Sequence, residues 1–427
     1  MTRAIHDALS RINAMLKEIR RLKESEFPYD HSLEALKELE EMLTQQKNKI
    51  EKEDDREIIR EYCCASFNQL YGVTPYLGII LRSTNIRNSF ESYWPLLRLV
   101  QKVLNNTNKK LILSSEWDYS PFVYPNPNYL PDYVIIGLPA FETSNPLLIP
   151  LAGHELGHAL FRQLDATSRK KLRQDIEDHI INKLVTPSNQ EKMRRLYPQF
   201  GHITSAEALR ENTNAYDIWN LPVEWARGQV EETFSDICGV RLFAESYLHA
   251  FCYLVSPGAL SRRNTYPKLP TRINKIIQSA THFGVEIPDN YADNFGDGKP
   301  TEKNSDDDIS QEQFLLQIAD ETSESLFEDL LAKVDGSLPC SRVSYRNKGN
   351  VDKILSSFKK LLSPFDEYSS LTDLLTAGWT AYLDDHLWSH LSYINKKEWN
   401  GILNDLIFKS MEVSEYELLI NEIGGVK

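Results

Sequence analysis

The pentapeptide His154-Glu155-Leu156-Gly157-His158 constrains the fold more than any other segment of this chain. Its two histidines stand four positions apart, which places both imidazoles on one face of an α-helix. The residues on either side, Leu151-Ala152-Gly153 and Ala159-Leu160, are all apolar or glycine. A helix of this composition is buried nearly all round. Because burying an ionised carboxylate without a partner is costly, the rest of the fold must supply partners for the three polar side chains.

A metal ion would satisfy these side chains, because their spacing is that of the HExxH motif. In this motif both histidines, here His154 and His158, bind one Zn²⁺, and Glu155 acts as a general base at the open side of the metal. The competing interpretation is a core helix whose histidines make ordinary hydrogen bonds. A catalytic zinc takes three protein ligands, so the zinc interpretation predicts a third ligand elsewhere in the chain.

The best candidate for the third ligand is Glu232. Asp236 follows four positions later, on the same helical face, where it can accept the N–H of a ligating histidine. Glu231 is the immediate rival, but its partner four positions on is a serine, which orients a histidine less well than a carboxylate does. Gly157 and Gly239 would let the two helices approach each other closely.

An HExxH motif followed by ExxxD resembles the gluzincin class of zinc metallopeptidases. The match falls on His154, Glu155, His158, Glu232 and Asp236. The resemblance implies that Glu232 is the third zinc ligand and that Asp236 supports the ligands from behind. It further implies a metalloendopeptidase, which hydrolyses bonds in a protein or peptide substrate with a metal-activated water and Glu155 as the base.

A third segment, Thr265–Ile273, is similar to the T-H-P-x-x-x-x-R-I element of the CAAX prenyl and heat-shock-type membrane metallopeptidases. Tyr266 stands where those families usually carry histidine. The resemblance implies a donor to the developing oxyanion at this position, and a tyrosine hydroxyl or Arg272 can serve as that donor. Those families act at membranes, but this chain lacks their transmembrane helices, so that part of the likeness is not carried over.

Four other histidines bear on the interpretation. His202 and His249 are alternatives to Tyr266 as the donor, although a core or surface role is the simpler reading of each. His386 and His390 also stand four positions apart, but Leu387 occupies the position of the base. We therefore predict that this second pair is structural and binds no metal.

Composition limits the class of protein. The net charge of −13 and the isoelectric point near 5.4 argue against nucleic acid or an anionic membrane as the partner, because phosphates would be repelled. No stretch offers the roughly 20 apolar residues of a membrane span, and the N-terminus lacks the apolar region of a secretory signal. The five cysteines form no CxxC pair. We expect reduced thiols, a cytoplasmic location and a metal held by nitrogen and oxygen.

The periodicity of apolar residues predicts a mainly α (α+β) fold with helical flanks. The resemblance to gluzincins implies a zincin-like catalytic core between these flanks. Short β-rich runs at Leu111–Leu113 and Tyr133–Ile136 predict a small sheet before the HExxH helix, and the edge of the second run could pair with a peptide substrate. The HExxH helix begins either at Asn145-Pro146 or at Pro150. The predicted regions are an N-terminal helical region (residues 1–105), a metallopeptidase core with a helical insertion (106–285), a polar linker or loop (286–312) and a C-terminal helical region (313–427).

The helical flanks leave two alternatives open. Apolar residues from Ile5 to Ile19 and from Leu33 to Leu43 predict an antiparallel helical hairpin, which is either a coiled coil that binds a protein partner or a layer packed on the rest of the protein. For the whole chain, the alternative to a metallopeptidase is a helical interaction or regulatory protein with a structural or vestigial zinc site.

Overall fold

A computed structural model describes residues 3–85, 89–116, 121–125, 127–256, 262–295, 309–339, 347–364 and 370–424. These residues are mainly helical with one small three-stranded sheet, which confirms the predicted mainly α (α+β) class. The strands are β1 (Lys110–Glu116), β2 (Phe122–Pro125) and β3 (Tyr133–Pro139). The helices are α1 (Arg3–Leu22), α2 (Asp30–Lys52), α3 (Arg56–Arg82), α4 (Ser89–Val103), α5 (Leu151–Gln163), α6 (Ala166–Leu184), α7 (Pro187–Leu196), α8 (Ala206–Glu211), α9 (Tyr216–Phe243), α10 (Glu245–Val255), α11 (Leu269–His282), α12 (Gln311–Ser325), α13 (Phe327–Ser337), α14 (Lys348–Lys359), α15 (Leu371–Leu383) and α16 (Trp399–Gly424).

The chain divides into two compact units whose segments interleave along the sequence. The first unit contains Met1–Leu148, Lys353–Leu371 and Asp384–Lys427, and the second contains Ile149–Asp352 and Thr372–Leu383. Each region predicted from the sequence is one continuous stretch of chain, whereas each compact unit combines several stretches. The predicted boundaries therefore stay predictions. Much of the predicted linker, residues 296–308, lies outside the described residues.

In the first unit, helices α1, α2 and α3 share one hydrophobic core with the sheet. Ile12 of α1, Leu36 of α2 and Val73 of α3 are fully buried in this core, together with Ile135 of β3. The apolar stripes of the predicted hairpin are therefore covered from within the unit. This packing agrees with a helical layer and leaves no long apolar seam on α1 and α2 for a coiled-coil partner.

The sheet has the strand order β1-β3-β2. β1 runs parallel to β3, with Lys110 opposite Tyr133, and β2 runs antiparallel to it, with Phe122 opposite Gly137. β3 is consequently the central strand, and both of its edges are already hydrogen-bonded. The expectation that the edge of Tyr133–Ile136 receives a peptide was wrong, because the short strand β2, which the sequence analysis did not identify, occupies that edge.

In the second unit, the long helix α9 lies at the centre and packs against α5, α6, α10, α11, α12 and α13. Helix α5 begins at Leu151, directly after Pro150, and Pro146 begins a separate short 3-10 turn. Helices α9 and α10 are separated at Ala244, whose φ of 49° lies in the left-handed region that residues with a side chain seldom adopt.

The described residues bear on the expectations about membrane spans and cysteine thiols. None of the described helices is both long enough and apolar enough to cross a membrane. The four described cysteines, Cys63, Cys64, Cys238 and Cys252, are free thiols, and Cys340 lies outside the described residues.

Candidate metal centre

Helices α5 and α9 pack closely because glycines stand where they meet. A Cβ atom at Gly157 would lie 2.5 Å from Cα of Ser235, and one at Gly153 would lie 3.2 Å from Cα of Gly239. Gly239 in turn is covered by the ring of Tyr247, 2.5 Å from the position that its Cβ would take. The predicted close approach of the two helices is present, and Gly153 contributes to it although the sequence analysis did not identify it.

This packing brings His154, His158 and Glu232 together in one cluster. The two Nε2 atoms are 3.1 Å apart, and they lie 3.4 Å (His154) and 3.6 Å (His158) from oxygens of the Glu232 carboxylate. Three ligands bound tetrahedrally to zinc at about 2.0–2.1 Å would be separated by roughly 3.3 Å. The donor atoms therefore already stand at the spacing of a tetrahedral metal site.

The outer nitrogen of each imidazole faces a carboxylate. Nδ1 of His154 lies 2.8 Å from Asp236, and Nδ1 of His158 lies 3.1 Å from Glu231. Since an ionised carboxylate can only accept, each Nδ1 carries a hydrogen, so that Nε2 of a neutral imidazole presents its lone pair to the centre. At 3.1 Å two such lone pairs repel each other unless a proton or a metal ion lies between them.

The electrostatics of the cluster favour such a positive charge. Burial on its own lowers the pKa of His154, but its hydrogen bond to Asp236 and the nearby Glu232 carboxylate raise that pKa to about 10. Oε2 of Glu232 is buried and has no hydrogen-bond partner among the described residues. A buried, unsatisfied carboxylate oxygen beside two inward-facing imidazole nitrogens fits a bound cation. The residues present thus fit the metal that the motif implies.

Glu231 lies behind His158 and does not take the place of the third ligand, for which it was a candidate from the sequence. As a rival ligand it would face the centre, but its carboxylate accepts from the outer nitrogen of His158 and from Nε of Arg162, 3.3 Å away. Burial raises the pKa of Glu231, but the hydrogen bonds and charges of His158 and Arg162 together lower it below the ordinary value. The sequence analysis looked for a partner on the same helix, whereas the actual partner of Glu231 lies across the interface on α5.

Asp236 is almost completely buried, and it accepts hydrogen bonds from three side chains that lie on other helices. Besides His154, Arg272 of α11 donates from Nε at 2.6 Å and from Nη2 at 2.8 Å, and the hydroxyl of Tyr247 donates at 2.7 Å. Burial raises the pKa of Asp236, but the charge of Arg272 and the hydrogen bonds hold it below its usual range. The sequence analysis missed Tyr247, because the turn at Ala244 that brings α10 back onto α9 leaves no signal in the sequence.

The structure also places the predicted donors, Arg272 and Tyr266. The guanidinium of Arg272 is engaged by Asp236 and lies 3.6 Å from Glu232, so its contacts are those of a group that holds other residues in place. The ring of Tyr266 lies 5.9 Å from Cζ of Arg272. Burial and the negative charge of Glu232 raise the pKa of the Tyr266 hydroxyl, which keeps it protonated as a donor.

Glu155 lies beside the cluster and is 8% exposed. Its carboxylate makes no hydrogen bond with any described residue. Burial raises its pKa above the ordinary value, while the neighbouring His154 and His158 oppose that rise. A partly desolvated carboxylate without a hydrogen-bond donor is well suited to accept a proton.

The remaining histidines stand apart from the cluster. His249 stacks on Trp379 with ring centroids 5.5 Å apart, and burial lowers its pKa to about 4. His202, His386 and His390 are exposed, and the last two follow the end of α15 and do not share a helical face. Within the described part of the chain, only His154, His158 and Glu232 form a group that could hold a metal ion.

The packing at Gly157 generates a stability prediction. We expect Gly157→Ala to lower the free energy of unfolding by about 1–3 kcal/mol, because its methyl group would meet backbone atoms of Ser235 that cannot move aside. Gly336→Ala is the matched control, since it lies in α13 of the same unit with nothing within 4 Å of the new Cβ. Chemical denaturation measures both variants. Equal stability of the two would contradict the close packing.

Comparison with known proteins adds no family to this description. No model of a protein family matches the chain, and neither curated proteins nor solved structures match it. The likeness to gluzincins therefore rests on the motif residues, and the conclusions about this centre rest on its own geometry.

Proposed function

We propose that this protein is a zinc-dependent metallopeptidase that hydrolyses peptide bonds in a protein or peptide substrate. The observation that carries the proposal is the convergence of two imidazole Nε2 atoms and the Glu232 carboxylate, with both outer nitrogens bound to carboxylates. Two histidines and one glutamate form one of the ligand sets of catalytic zinc sites. Two neutral imidazoles and a single carboxylate suit Zn²⁺ better than harder cations such as Mg²⁺.

A zinc ion held by His154, His158 and Glu232 would supply the Lewis acidity that the hydrolysis needs. Glu155 takes up the proton of the attacking water on its carboxylate and passes it to the leaving amine. Its burial supports this role, because a carboxylate with a raised pKa is a stronger base and takes up the proton of the water more readily than an ordinary glutamate would. No serine or cysteine nucleophile is needed.

The remaining residues hold the ligands or bind the developing charge. Asp236 and Glu231 fix the tautomers and the orientations of the two imidazoles. Arg272 and Tyr247 keep Asp236 ionised and in place. We assign the donor to the oxyanion to Tyr266, because its hydroxyl remains protonated while the guanidinium of Arg272 is engaged elsewhere.

The first test is Glu155→Gln. We expect this variant to bind zinc like the wild type but to cleave peptides about 10²–10⁴ times more slowly, because an amide cannot take up the proton. Glu245→Gln, the same substitution at another buried position of this unit, is the control and should leave turnover unchanged. Metal content and cleavage of a mixed synthetic peptide library are measured together.

Cleavage by Glu155→Gln at the wild-type rate would contradict the assignment of Glu155 as the general base. A wild-type protein that binds one zinc per chain but cleaves no peptide of the library would favour the interaction or regulatory alternative with a structural site.

The second test compares Glu232→Ala with Glu231→Ala. We expect Glu232→Ala to abolish zinc binding, because one of the three ligands is lost, and Glu231→Ala to weaken it about 10–100-fold through the orientation of His158. Competition with a chelating dye measures both affinities. A greater loss in Glu231→Ala would reverse the two roles.

The third test concerns Tyr247→Phe. Removing this hydroxyl deletes one of the hydrogen bonds to Asp236 without changing the shape of the core, so we expect about 10-fold weaker zinc binding. Tyr291→Phe is the control. The buried hydroxyl of Tyr291 donates to the backbone oxygen of Leu248, which lies on α10 like Tyr247, and it does not contact Asp236. The same zinc affinity in both variants would show that Tyr247 is only a packing residue.

A further inference from the structure

The first unit contains a cleft of about 700 Å³ between α1 and α3, in the part of the molecule that the sequence analysis left without a role. Ala8 and Ile59 are buried in its lining, and Ile5 is partly buried. The charged residues of the exposed lining are all basic: Arg11, Arg56 and Arg60. Cys64, Phe67 and Asn68 are the other exposed residues of the lining.

These three arginines have no ion-pair partner among the described residues. No carboxylate of the described chain lies within ion-pair distance of their guanidinium groups, although the protein carries a net charge of −13. The acidic residue of the lining, Asp7, lies 3.6 Å from Nδ1 of His6. An apolar cleft edged by unpaired arginines is complementary to a ligand that is both apolar and negatively charged.

The cleft continues along α3 into an aromatic surface. Phe67 and Tyr71 are 54% and 79% exposed, and a second cleft of about 370 Å³ is lined by these residues together with Tyr76 and Tyr129. Phe67 belongs to both clefts, and the guanidinium of Arg11 lies 5.7 Å from the centre of its ring. Arginine and tyrosine are the residue types that dominate the energetics of protein interfaces.

The basic and aromatic residues form one face of α3. Arg56, Arg60, Cys64, Phe67 and Tyr71 recur at spacings of three and four, so they line up along the helix over roughly 22 Å. Arg56 and Arg60 stand at the N-terminal end of this face. The face therefore has a direction, with its basic end at Arg56 and its aromatic end at Tyr71.

We propose that this face of α3 binds an acidic, apolar peptide segment of a partner protein. The carboxylates of the segment pair with the three arginines, its aliphatic side chains enter the cleft beside Ile59, and its aromatic or apolar end packs on Phe67 and Tyr71. The apolar cleft favours a peptide over a nucleic acid, because a nucleic acid has no aliphatic side chains to fill it. This proposal does not depend on the proposed peptidase activity.

Selection from a displayed library of random peptides, about 12 residues long so as to cover the face, tests the proposal. We expect the enriched sequences to combine several acidic residues with apolar ones. The most enriched peptide, labelled with a fluorophore, is then titrated with the full-length wild type and with the triple variant Arg11→Gln, Arg56→Gln, Arg60→Gln. We expect the triple variant to bind about 10-fold or more weakly, and Tyr71→Ala to bind more weakly as well.

The control removes the same charge from another exposed surface, with Arg169→Gln, Lys170→Gln and Lys171→Gln on α6. We expect it to leave the affinity unchanged. The proposal is overturned if no acidic sequence is enriched, or if the two triple variants lose affinity equally. It is also overturned if a labelled single-stranded oligonucleotide binds with the same dependence on the three arginines, because the surface would then recognise phosphates.

Discussion

The close packing of α5 against α9 at Gly157 is the constraint on which the rest of the candidate metal centre depends. Because no side chain separates these helices, the face of α5 that carries both histidines lies directly over the carboxylates of α9. One side of the interface supplies the imidazoles and the other supplies their partners. A larger residue at Gly157 would push α5 and α9 apart. The imidazoles of α5 would then move away from the carboxylates of α9, since each set is carried by its own helix.

That interface concentrates charge in a desolvated region, and the surrounding helices balance it. Glu155, Glu232 and Asp236 are all buried, and isolated carboxylates would be expensive there. Arg272 offsets part of this cost by its paired hydrogen bonds to Asp236, and Tyr247 completes the contacts of that group. Glu155 and one oxygen of Glu232 are left without such partners. The buried donors of the fold therefore hold Asp236 in place, and the carboxylates of Glu155 and Glu232 stay available for a ligand.

The sequence predicted those parts of the centre that lie within one turn of a helix. His154 and His158, like Glu232 and Asp236, are four positions apart, and helical geometry alone places such residues on one face. The same reasoning failed for Glu231, whose partner lies on another helix, and for Tyr247, which depends on the turn at Ala244. It also treated Arg272 as a free donor, because a sequence shows the charge of an arginine but not the carboxylate that holds it.

The sequence by itself determined the helical class, the pair of histidines that share a face, and the need for partners around a buried glutamate. These follow from periodicity and burial, which are local properties of the chain. Only the tertiary structure decided that β3 is central in its sheet, that Glu231 lies behind His158, and that the arginines of α1 and α3 meet at one cleft. The physical reason is that such contacts join residues far apart in the chain, and their geometry is set by how helices pack and not by their spacing in the sequence.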